Sequence, residues 1–347
     1  MCRFGFKAFL SLSLPISLVA QETGFSNLQE KEERNHEDSS SMFLPEKMKE
    51  SKRLYLEAQM LYGTAHLSDL GFATKSKAKT YVRKGKVKDP KFNWNWGFKV
   101  GFGYNIPHDG WDIQGGYTQF RSDTHTSTYA PEGGTLFPQW LSSSSQGVDY
   151  AKAHWNFHLQ LSDLELGKMM KISSAMTLRP FIGVRGAWIS QKYNITYIGG
   201  PSLVSGQSQM VNMRNHFWGV GGRLGANSLY AFGKGVGLYA DGALSLLSGF
   251  FHVTEQQKLS MDPSSGIGIN AHPQDLVTIL DLSLGLQYDT FFKKRRYHLG
   301  FKLGYEFDYL FNQNQFLKTI SGQGAALVQS QGDLSLMGLS FAARFDF

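Results

Sequence analysis

His154 and His158 are the residues of this sequence best suited to acid–base chemistry, and Asp281 or Asp308 could supply an acid partner. Histidine is an effective general base because its pKa lies near neutrality. Both histidines, however, lie in a run in which even residues are polar and odd residues are apolar, and no serine, histidine and acid share a catalytic motif. The sequence therefore predicts no enzymatic activity, no cofactor and no metal site.

Other charged residues also recur at alternate positions. Alternate residues of an extended strand point to the same face of a sheet. If that face encloses water, its charges line a channel and set its ion preference, and Arg179, Arg185 and Arg223 would shape the access of anions. If the barrel is narrow, acids and bases instead pair across the lumen and fill it. The predicted lumen residues are Glu57, Lys99, Asp112, Lys152, His154, His158, Arg179, Arg185, Arg223, Asp241, Asp281, Lys302, Glu306, Asp308, Arg344 and Asp346.

The segment from Tyr297 to Phe311 shows most clearly which element positions these charges. Its odd residues are all large and apolar, whereas its even residues include glycines, Lys302, Glu306 and Asp308. A soluble sheet would turn the apolar face inward. The length and the aromatic ends of this face instead favour the inverted arrangement, in which apolar residues contact lipid and charged residues face a watery interior.

Ten segments carry the same period of two. The second segment, 92–104, is expected to turn Phe92 and every second residue after it toward lipid. In the fourth segment, the odd residues from Ala151 to Leu161, which include Trp155 and Phe157, are likewise expected outside. The sequence thus predicts an all-β, transmembrane, antiparallel up-and-down β-barrel of about ten strands, with twelve strands as the second choice.

The connections between these segments alternate in length, which supports the strand count. Long connections at 63–91, 124–148, 254–274 and 312–332 and a medium one at 199–210 alternate with short ones at 105–110, 167–175, 231–235 and 292–296. Outer-membrane barrels have short periplasmic turns and long external loops. An even number of strands with both termini in the periplasm satisfies this alternation, although either of the two longest loops could conceal another hairpin.

The ends of the chain fit export to the outer membrane. Residues 1–20 have the positive start and apolar stretch of a cleaved signal peptide. The charged residues 21–52 are expected to form a disordered periplasmic leader, and 53–347 the barrel. The single cysteine, Cys2, lies within the signal peptide. Phe341, Phe345 and Phe347 close an alternating strand, and this pattern is typical of the signal that the barrel assembly machinery binds.

Composition agrees with a barrel. The chain holds 38 glycines and 14% aromatic residues. Its mean hydropathy of −0.27 does not count against membrane insertion, because lumen residues dilute the apolar signal of each strand. The net charge of +7 would suit nucleic-acid binding, but the predicted location excludes it.

The first long loop is strongly basic. Such a loop could hold lipopolysaccharide phosphates or sulfated glycans by Coulomb attraction, or it could be a solvated surface segment without a ligand. The basic residues are Lys75, Lys77, Lys79, Arg83, Lys84, Lys86, Lys88 and Lys91.

Three stretches resemble one known family. They are Leu178–Trp188 (LRPFIGVRGAW), Phe217–Gly225 (FWGVGGRLG) and Leu54–Tyr62 (LYLEAQMLY). Together they resemble the major outer membrane protein family of Legionella and environmental chlamydiae, over about residues 53–347. The resemblance implies an abundant pore-forming surface protein of a Gram-negative intracellular bacterium. Chlamydial members are rich in cysteines that crosslink the envelope, so a disulfide-bonded coat is not implied for this chain.

Three functions follow from these observations. The first is an outer-membrane porin through which small hydrophilic solutes or ions diffuse passively. The second is a closed structural barrel whose external loops act in adhesion or in contact with lipopolysaccharide, and the third is a rim protease or lipase. The expected partners are outer-membrane lipid and lipopolysaccharide, the barrel assembly machinery and small solutes. Assembly into a homo-oligomer stays open, because no interface signal is legible.

Overall fold

The computed structural model describes residues 53–77, 84–107, 109–141, 147–200, 208–259, 267–292, 297–320 and 326–347. The predicted signal peptide (1–20) and leader (21–52) lie outside these residues. The described chain is dominated by ten long strands, β1 to β10, which span Arg53–Leu67, Trp94–Asn105, Trp111–Tyr129, Tyr150–Lys168, Met176–Ile198, Ser208–Gly233, Val236–Leu259, Gln274–Phe292, Tyr297–Asn314 and Gly332–Asp346. None of the described residues forms a helix long and apolar enough to cross a membrane.

The ten long strands close into one barrel. Each strand pairs antiparallel with its neighbours in sequence. Closure comes from β1 and β10, which pair from Tyr55 opposite Asp346 to Leu67 opposite Leu334. The predicted up-and-down barrel of ten strands is confirmed.

The second choice of twelve barrel strands is wrong for a specific reason. The two longest loops do contain strands, at Ala73–Ser76, Gly85–Lys88 and Thr135–Pro138. These strands form a separate three-stranded sheet, and Leu136 also forms a bridge with Val148 in the second loop. The loops therefore add structure at one end of the barrel without widening it.

The alternation of short and long connections is also confirmed. β6 ends at Gly233 and β7 begins at Val236, so two residues suffice for this turn. Gly233, Lys234 and Gly235 have φ values of 102°, 52° and 83°, and glycine adopts such positive values without steric cost. At the other end of the barrel, β1 and β2 are separated by residues 68–93.

Near the short turns, the barrel has apolar side chains outside and polar side chains inside. On β8, Leu282, Leu284 and Leu286 expose 44%, 56% and 53% of their surface. Asp281 and Ser283, which alternate with them, line an interior cavity. A row of exposed leucines is stable only against an apolar medium, so this face is suited to lipid.

Farther from the short turns, β4 reverses this polarity without a bulge. Trp155, Phe157 and Leu159 are fully buried in an interior apolar cluster. The even residues between them point outward, away from that cluster. The predicted outward orientation of the odd residues 151–161 is therefore wrong. In this part of the barrel, the interior is an apolar core and the exterior is polar, as in a water-soluble protein.

One row of side chains marks where the exterior changes from apolar to polar. Trp188, Trp218 and Phe250 lie opposite one another on β5, β6 and β7, and all three are exposed. Aromatic residues favour the boundary between lipid and water. We call these three residues the aromatic row. The barrel on its short-turn side is the membrane segment, and the barrel on its long-loop side is the outer extension.

The beginning of β2 also differs from the sequence prediction. Phe92 was expected on the lipid face, but β2 begins only at Trp94. Phe92 packs against the interior apolar cluster and makes an edge contact with Trp155, with ring centroids 5.3 Å apart. The regular outward set of β2 therefore starts at Trp94 and continues through Trp96, Phe98, Val100 and Phe102, all of them exposed.

Candidate functional site: the charged lumen and its outer closure

Three arginines form the centre of the membrane segment's lumen. Arg185 donates to both oxygens of Asp163, from Nε at 2.6 Å and from Nη2 at 2.8 Å, and Nη1 donates to Asp281 at 2.7 Å. Arg223 also donates to Asp281 and reaches Glu165 through Nε at 2.9 Å. Bidentate arginine–carboxylate pairs have well-defined geometry and are among the stronger charged hydrogen bonds.

Arg179 extends this network toward the periplasmic end. Its Nε lies 2.9 and 2.8 Å from the two oxygens of Asp112, and its Nη1 lies 3.3 Å from Glu165. Phe181 lies beneath both Arg179 and Arg223, which approach its ring at 5.4 and 5.5 Å. All three arginines are therefore held by acids from β3, β4 and β8, and the Phe181 ring supports two of them.

A second cluster lies across the lumen on β2 and β9. Lys99 Nζ donates to Glu306 at 2.6 Å, and Gln59 donates to the other oxygen of Glu306. Asp308, two residues farther along β9, lies opposite Asp281 on β8. The two clusters thus meet through acidic residues of neighbouring strands.

The periplasmic end of the lumen holds a third cluster. His298 lies between two acids, with Nδ1 2.6 Å from Asp346 and Nε2 2.8 Å from Asp289. Arg344 donates to Asp346 at 2.9 Å and lies 3.7 Å from the centre of the Tyr55 ring. Both imidazole nitrogens of His298 are hydrogen-bonded, so this histidine is fixed in place by its neighbours.

Most of the predicted lumen residues lie where the sequence placed them, but three lie on the exterior. Lys152, His154 and His158 point outward from β4, in the outer extension. The sequence correctly placed these three residues on one face of the strand. It wrongly predicted that this face lies inside the barrel, because the outer extension has its polar face outside.

Sequence reasoning missed two charged interior residues, Asp163 and Glu165. Asp289 and His298 were placed on the polar faces of their segments but not included in the predicted lumen set. On β4 the polar set moves from even to odd positions after Ser162, and the outward set becomes Leu164 and Leu166, both exposed. This change of phase along β4 is the sequence signal that could have identified Asp163 and Glu165. With these residues included, acids outnumber lysines and arginines in the lumen. The acids are Glu57, Asp112, Asp163, Glu165, Asp241, Asp281, Asp289, Glu306, Asp308 and Asp346, and the bases are Lys99, Arg179, Arg185, Arg223, Lys302 and Arg344.

The network leaves space inside the membrane segment. One cavity of about 180 Å³ is lined by residues of the central clusters, among them Glu57, Asp163 and Asp241. A second cavity of about 290 Å³ extends to the periplasmic end and is lined by Asp112, Asp241 and His298 among others. A water molecule occupies about 30 Å³ in the liquid, so each cavity has room for several.

Loop segments fill the outer extension. Trp140, which is fully buried, donates from Nε1 to the carbonyl of Gly71 at 2.7 Å and makes an edge contact with Phe316. The hydroxyls of Tyr193 and Tyr197, both on β5, donate to the carbonyls of Leu70 and Phe72 at 2.6 Å. We call residues 70–73, 136–141 and 316–317 the plug. It packs into the interior apolar cluster and closes the outer end of the lumen.

The predicted basic loop partly belongs to this closure. Lys75 lies on the strand Ala73–Ser76, beside plug residues, and Lys86 and Lys88 lie on the strand paired with it. Lys84 and Lys86 are exposed. Lys79 and Arg83 lie outside the described residues. The described parts of the loop, 68–77 and 84–93, form a folded cap with basic residues on its surface.

The predicted assembly signal lies on the lipid-facing side of β10. Phe341 and Phe347 are exposed, and Phe345 stacks on Phe347 and on Tyr297. The backbone of Phe347 donates to Leu54 at 3.0 Å, so the terminal aromatic lies at the seam where β10 meets β1. Recognition by the assembly machinery stays a prediction.

His154 has partners outside the barrel. Its Nε2 lies 2.9 Å from Asp123, and its ring stacks on His125, with centroids 3.9 Å apart. Burial acts to raise the pKa of Asp123, but hydrogen bonds from His154 and Asn156 hold it below its usual value. The donor atoms of Asp123, His125 and His154 lie within 4.8 Å of one another, a set that could ligate a divalent cation.

A family comparison agrees with this geometry. The family model described as the major outer membrane protein precursor of Legionella pneumophila matches residues 46–347. The chain belongs to this family. The resemblance to the Legionella proteins is confirmed, and the protein is an outer-membrane β-barrel of the major outer membrane protein family. Its predicted location in the bacterial outer membrane is also confirmed.

Several solved outer-membrane proteins show a low similarity to the chain. The outer membrane protease OmpT from Escherichia coli is 13% identical, with a TM-score of 0.37, and the match covers 84% of this chain and 96% of OmpT. A major outer membrane protein from Thermus thermophilus is 10% identical, with a TM-score of 0.33 over 86% and 100% of the two chains. A Pseudomonas aeruginosa FadL homologue is 8% identical, with a TM-score of 0.26 over 85% and 90%. These likenesses carry no functional argument, and no curated protein matches the chain.

Proposed function

We propose that this family member is a pore for small hydrophilic ions and solutes, and that the described conformation is its closed state. The observation that carries the proposal is the pair of cavities, of about 180 and 290 Å³, among the charged side chains of the membrane segment. A barrel that needed only an inert core could fill this space with apolar side chains. Charges and free volume together suit a hydrated ion path.

The outer end is where opening would occur. The plug consists of loop residues, such as Trp140 and Phe316, rather than of barrel strands. Its movement could open the lumen while the hydrogen bonds between barrel strands stay intact. Gating by loop displacement therefore costs less than gating by barrel deformation.

The open pore would prefer cations. The sequence alone suggested anion access through Arg179, Arg185 and Arg223, but each of these now lies against carboxylates. The lumen acids outnumber its lysines and arginines. Glu57 and Asp241 line both cavities and so contribute negative potential along the path.

Planar-bilayer recording tests the proposal. Wild-type protein should give rare stepwise openings, and the double variant Trp140→Ala/Phe316→Ala should open more often, because it removes two aromatic side chains from the plug. Glu57→Gln/Asp241→Asn should lower the cation-to-anion permeability ratio. Lys84→Gln/Lys86→Gln, on the exposed cap, serves as the matched control, and migration of unheated protein on gels checks folding.

One result would contradict the pore, and another would contradict its cation preference. The first is electrical silence of both the wild type and the plug variant across salts and voltages. The second is an unchanged permeability ratio in the Glu57→Gln/Asp241→Asn variant, which would remove the lumen acids from the ion path.

A closed structural barrel is the second candidate, and the bidentate pairing of Arg185 with Asp163 favours it. In such a barrel the network and the plug serve only stability, and the external loops do the work. Silence in bilayers, combined with loss of heparin retention in Lys84→Gln/Lys86→Gln, would support this candidate over the pore.

A further inference from the structure

The exterior of the outer extension is basic from β4 to β7. In the described part of these strands, every outward side chain beyond the aromatic row that can carry a charge near neutral pH is a lysine, an arginine or a histidine. We call this set the basic wall: Lys152, His154, His158, Lys192, Arg214, His216, His252 and Lys258. The acids of the same strands point inward, as Glu255 does on β7. A positively charged exterior predicts a negatively charged partner.

The strand register arranges the lower part of the basic wall in rows parallel to the membrane. His158 lies opposite Ser190, Ser190 opposite His216, and His216 opposite His252. Lys192 lies opposite Arg214 in the next outward row. His272 adds to the first row, since its Nδ1 lies 2.8 Å from Nδ1 of His252.

These rows lie where lipid headgroups are expected. Moving outward from the membrane, His216 is the next residue after Trp218 on the same face of β6. His252 is likewise the next residue after Phe250 on the same face of β7. Two residues of a strand advance by roughly 7 Å. The first cationic row therefore lies just outside the level at which the aromatic row meets the hydrocarbon.

A groove connects the two levels. A cavity of about 410 Å³ on this face is lined by Trp188, Trp218 and Phe250 at its apolar end and by His158, His216 and His252 at its polar end. Such a groove matches a ligand whose apolar chain is joined to an anionic group.

Within the described part of the chain, Lys192 and Arg214 of the lower rows have no acidic partner. None of the described ion pairs involves Lys192 or Arg214. Burial lowers the pKa of His216, and nearby Lys192, His252 and Arg214 lower it further. The outward-facing acid Asp123 on β3 is already bonded to two histidines, His125 and His154. An external anion would relieve this mutual repulsion.

We propose that the basic wall binds the phosphates of a phosphorylated glycolipid of the outer leaflet, of the lipid A class. Lys192 and Arg214 contact phosphate oxygens, and the acyl chains lie along the aromatic row. We choose an outer-leaflet lipid as the ligand because the basic wall continues the lipid-facing surface. The positive charge of the wall is also opposite to that of the lipid phosphates. This proposal does not depend on the pore.

The histidine row makes the binding pH-dependent. The groups that face it are Arg121 on β3, Lys192 on β5, Arg214 on β6 and His272 beside β7. All are basic, so protonation of His158 and His216 near a phosphate becomes favourable only when the lipid is bound. Affinity should therefore rise as the pH falls from about 8 to about 5.5, the range in which histidine gains charge.

Native mass spectrometry of the purified barrel in neutral detergent tests the site. Bisphosphorylated lipid A is the probe, and dephosphorylated lipid A, phosphatidylglycerol and inorganic phosphate are the comparators. One lysine or arginine near an anionic lipid surface contributes about 1 kcal/mol. Lys192→Gln/Arg214→Gln should therefore weaken lipid A retention roughly 30-fold. Lys171→Gln/Lys234→Gln, at exposed positions of the short turns, is the matched control and should bind as the wild type does.

The histidines need a separate variant. His158→Gln/His216→Gln should bind as the wild type does at pH 8 but lose the increase at pH 5.5. A pH response that survives in this variant would overturn the role of the histidine row.

Several results would overturn the site itself. They are equal retention by the wild type and Lys192→Gln/Arg214→Gln, loss of retention only in Lys84→Gln/Lys86→Gln on the cap, and equal binding of dephosphorylated lipid A. Displacement of lipid A by millimolar inorganic phosphate would point to a free anion in place of the lipid. Preference for phosphatidylglycerol would show that the glycolipid headgroup is not recognised.

Discussion

The membrane segment and the outer extension use the same strands with opposite polarity. In the membrane segment of β4, Leu164 and Leu166 point outward while Asp163 and Glu165 point into the lumen. A few residues away, Phe157 is fully buried inside, and His158 lies outside. The backbone is continuous through this change. Only the side chains differ between the part of the strand that faces lipid and the part that faces water.

The comparison shows that alternation identifies two faces but does not say which face is inside. Lipid makes the apolar face the outer one, whereas water makes it the inner one. The interior responds in turn: arginine–carboxylate pairs fill the membrane segment, and aromatic side chains such as Trp155 fill the extension. One barrel therefore contains both an inverted and an ordinary arrangement.

The largest expected effect comes from the core of the extension. Phe157→Ala should lower the free energy of unfolding by about 3–5 kcal/mol, because Phe157 is fully buried. His158→Ala, at the adjacent outward position, should cost less than about 0.5 kcal/mol. Urea titration of the barrel folded in vesicles, followed by tryptophan fluorescence, measures both. Equal costs at the two positions would remove the assignment of inside and outside in the extension.

The lipid face gives the next effect. Leu284→Arg places a charge on an exposed, lipid-facing position of the membrane segment and should cost about 2–4 kcal/mol. Gln256→Arg makes the same change on the outward face of β7 in the extension and should be nearly neutral. The same urea titration compares them. A similar cost at both positions would mean that lipid covers the extension too, and the boundary at the aromatic row would be wrong.

The sequence predicted the barrel well because its signals are local. Ten alternating segments, the alternating connection lengths and the outward leucines of β8 each depend on residues close together in the chain. The alternation of short and long connections requires an even number of strands, and this gives both the strand count and the closure of the barrel. Most lumen charges could be assigned in the same way, since Arg185, Asp281 and Glu306 lie in segments with an apolar lipid face.

The outer extension could not be predicted by the same rule. Lys152 and His154 obey the alternation, but their direction depends on the height of the barrel above the membrane, which no single strand encodes. The change of phase at Ser162 and Asp163 marks the level at which the barrel leaves the membrane. The neighbouring strands change near the same level, at Trp188 and Trp218. The plug depends on contacts between distant loops, as in the bond from Trp140 to Gly71, and alternation carries no information about these.

The smallest effect concerns Glu255, an acid in the apolar interior of the extension. Its side chain is 1% exposed, and burial raises its pKa to about 6 from 4.5, despite a hydrogen bond from Gln257. Because the folded state binds this proton more tightly than the unfolded state, the barrel gains stability as the pH falls from about 6 to about 4.5. Above this range the charged carboxylate costs about 2 kcal/mol.

Glu255→Gln should therefore stabilise the barrel by up to about 2 kcal/mol at pH 7.5 and have little effect at pH 4. Urea titrations at the two pH values measure this difference, with Glu132→Gln at an exposed loop position as the control. If Glu255→Gln were equally stabilising at both pH values, its effect would come from packing rather than from charge. If it were neutral at both, water would reach Glu255, and the interior of the extension would resemble the charged lumen more than a dry core.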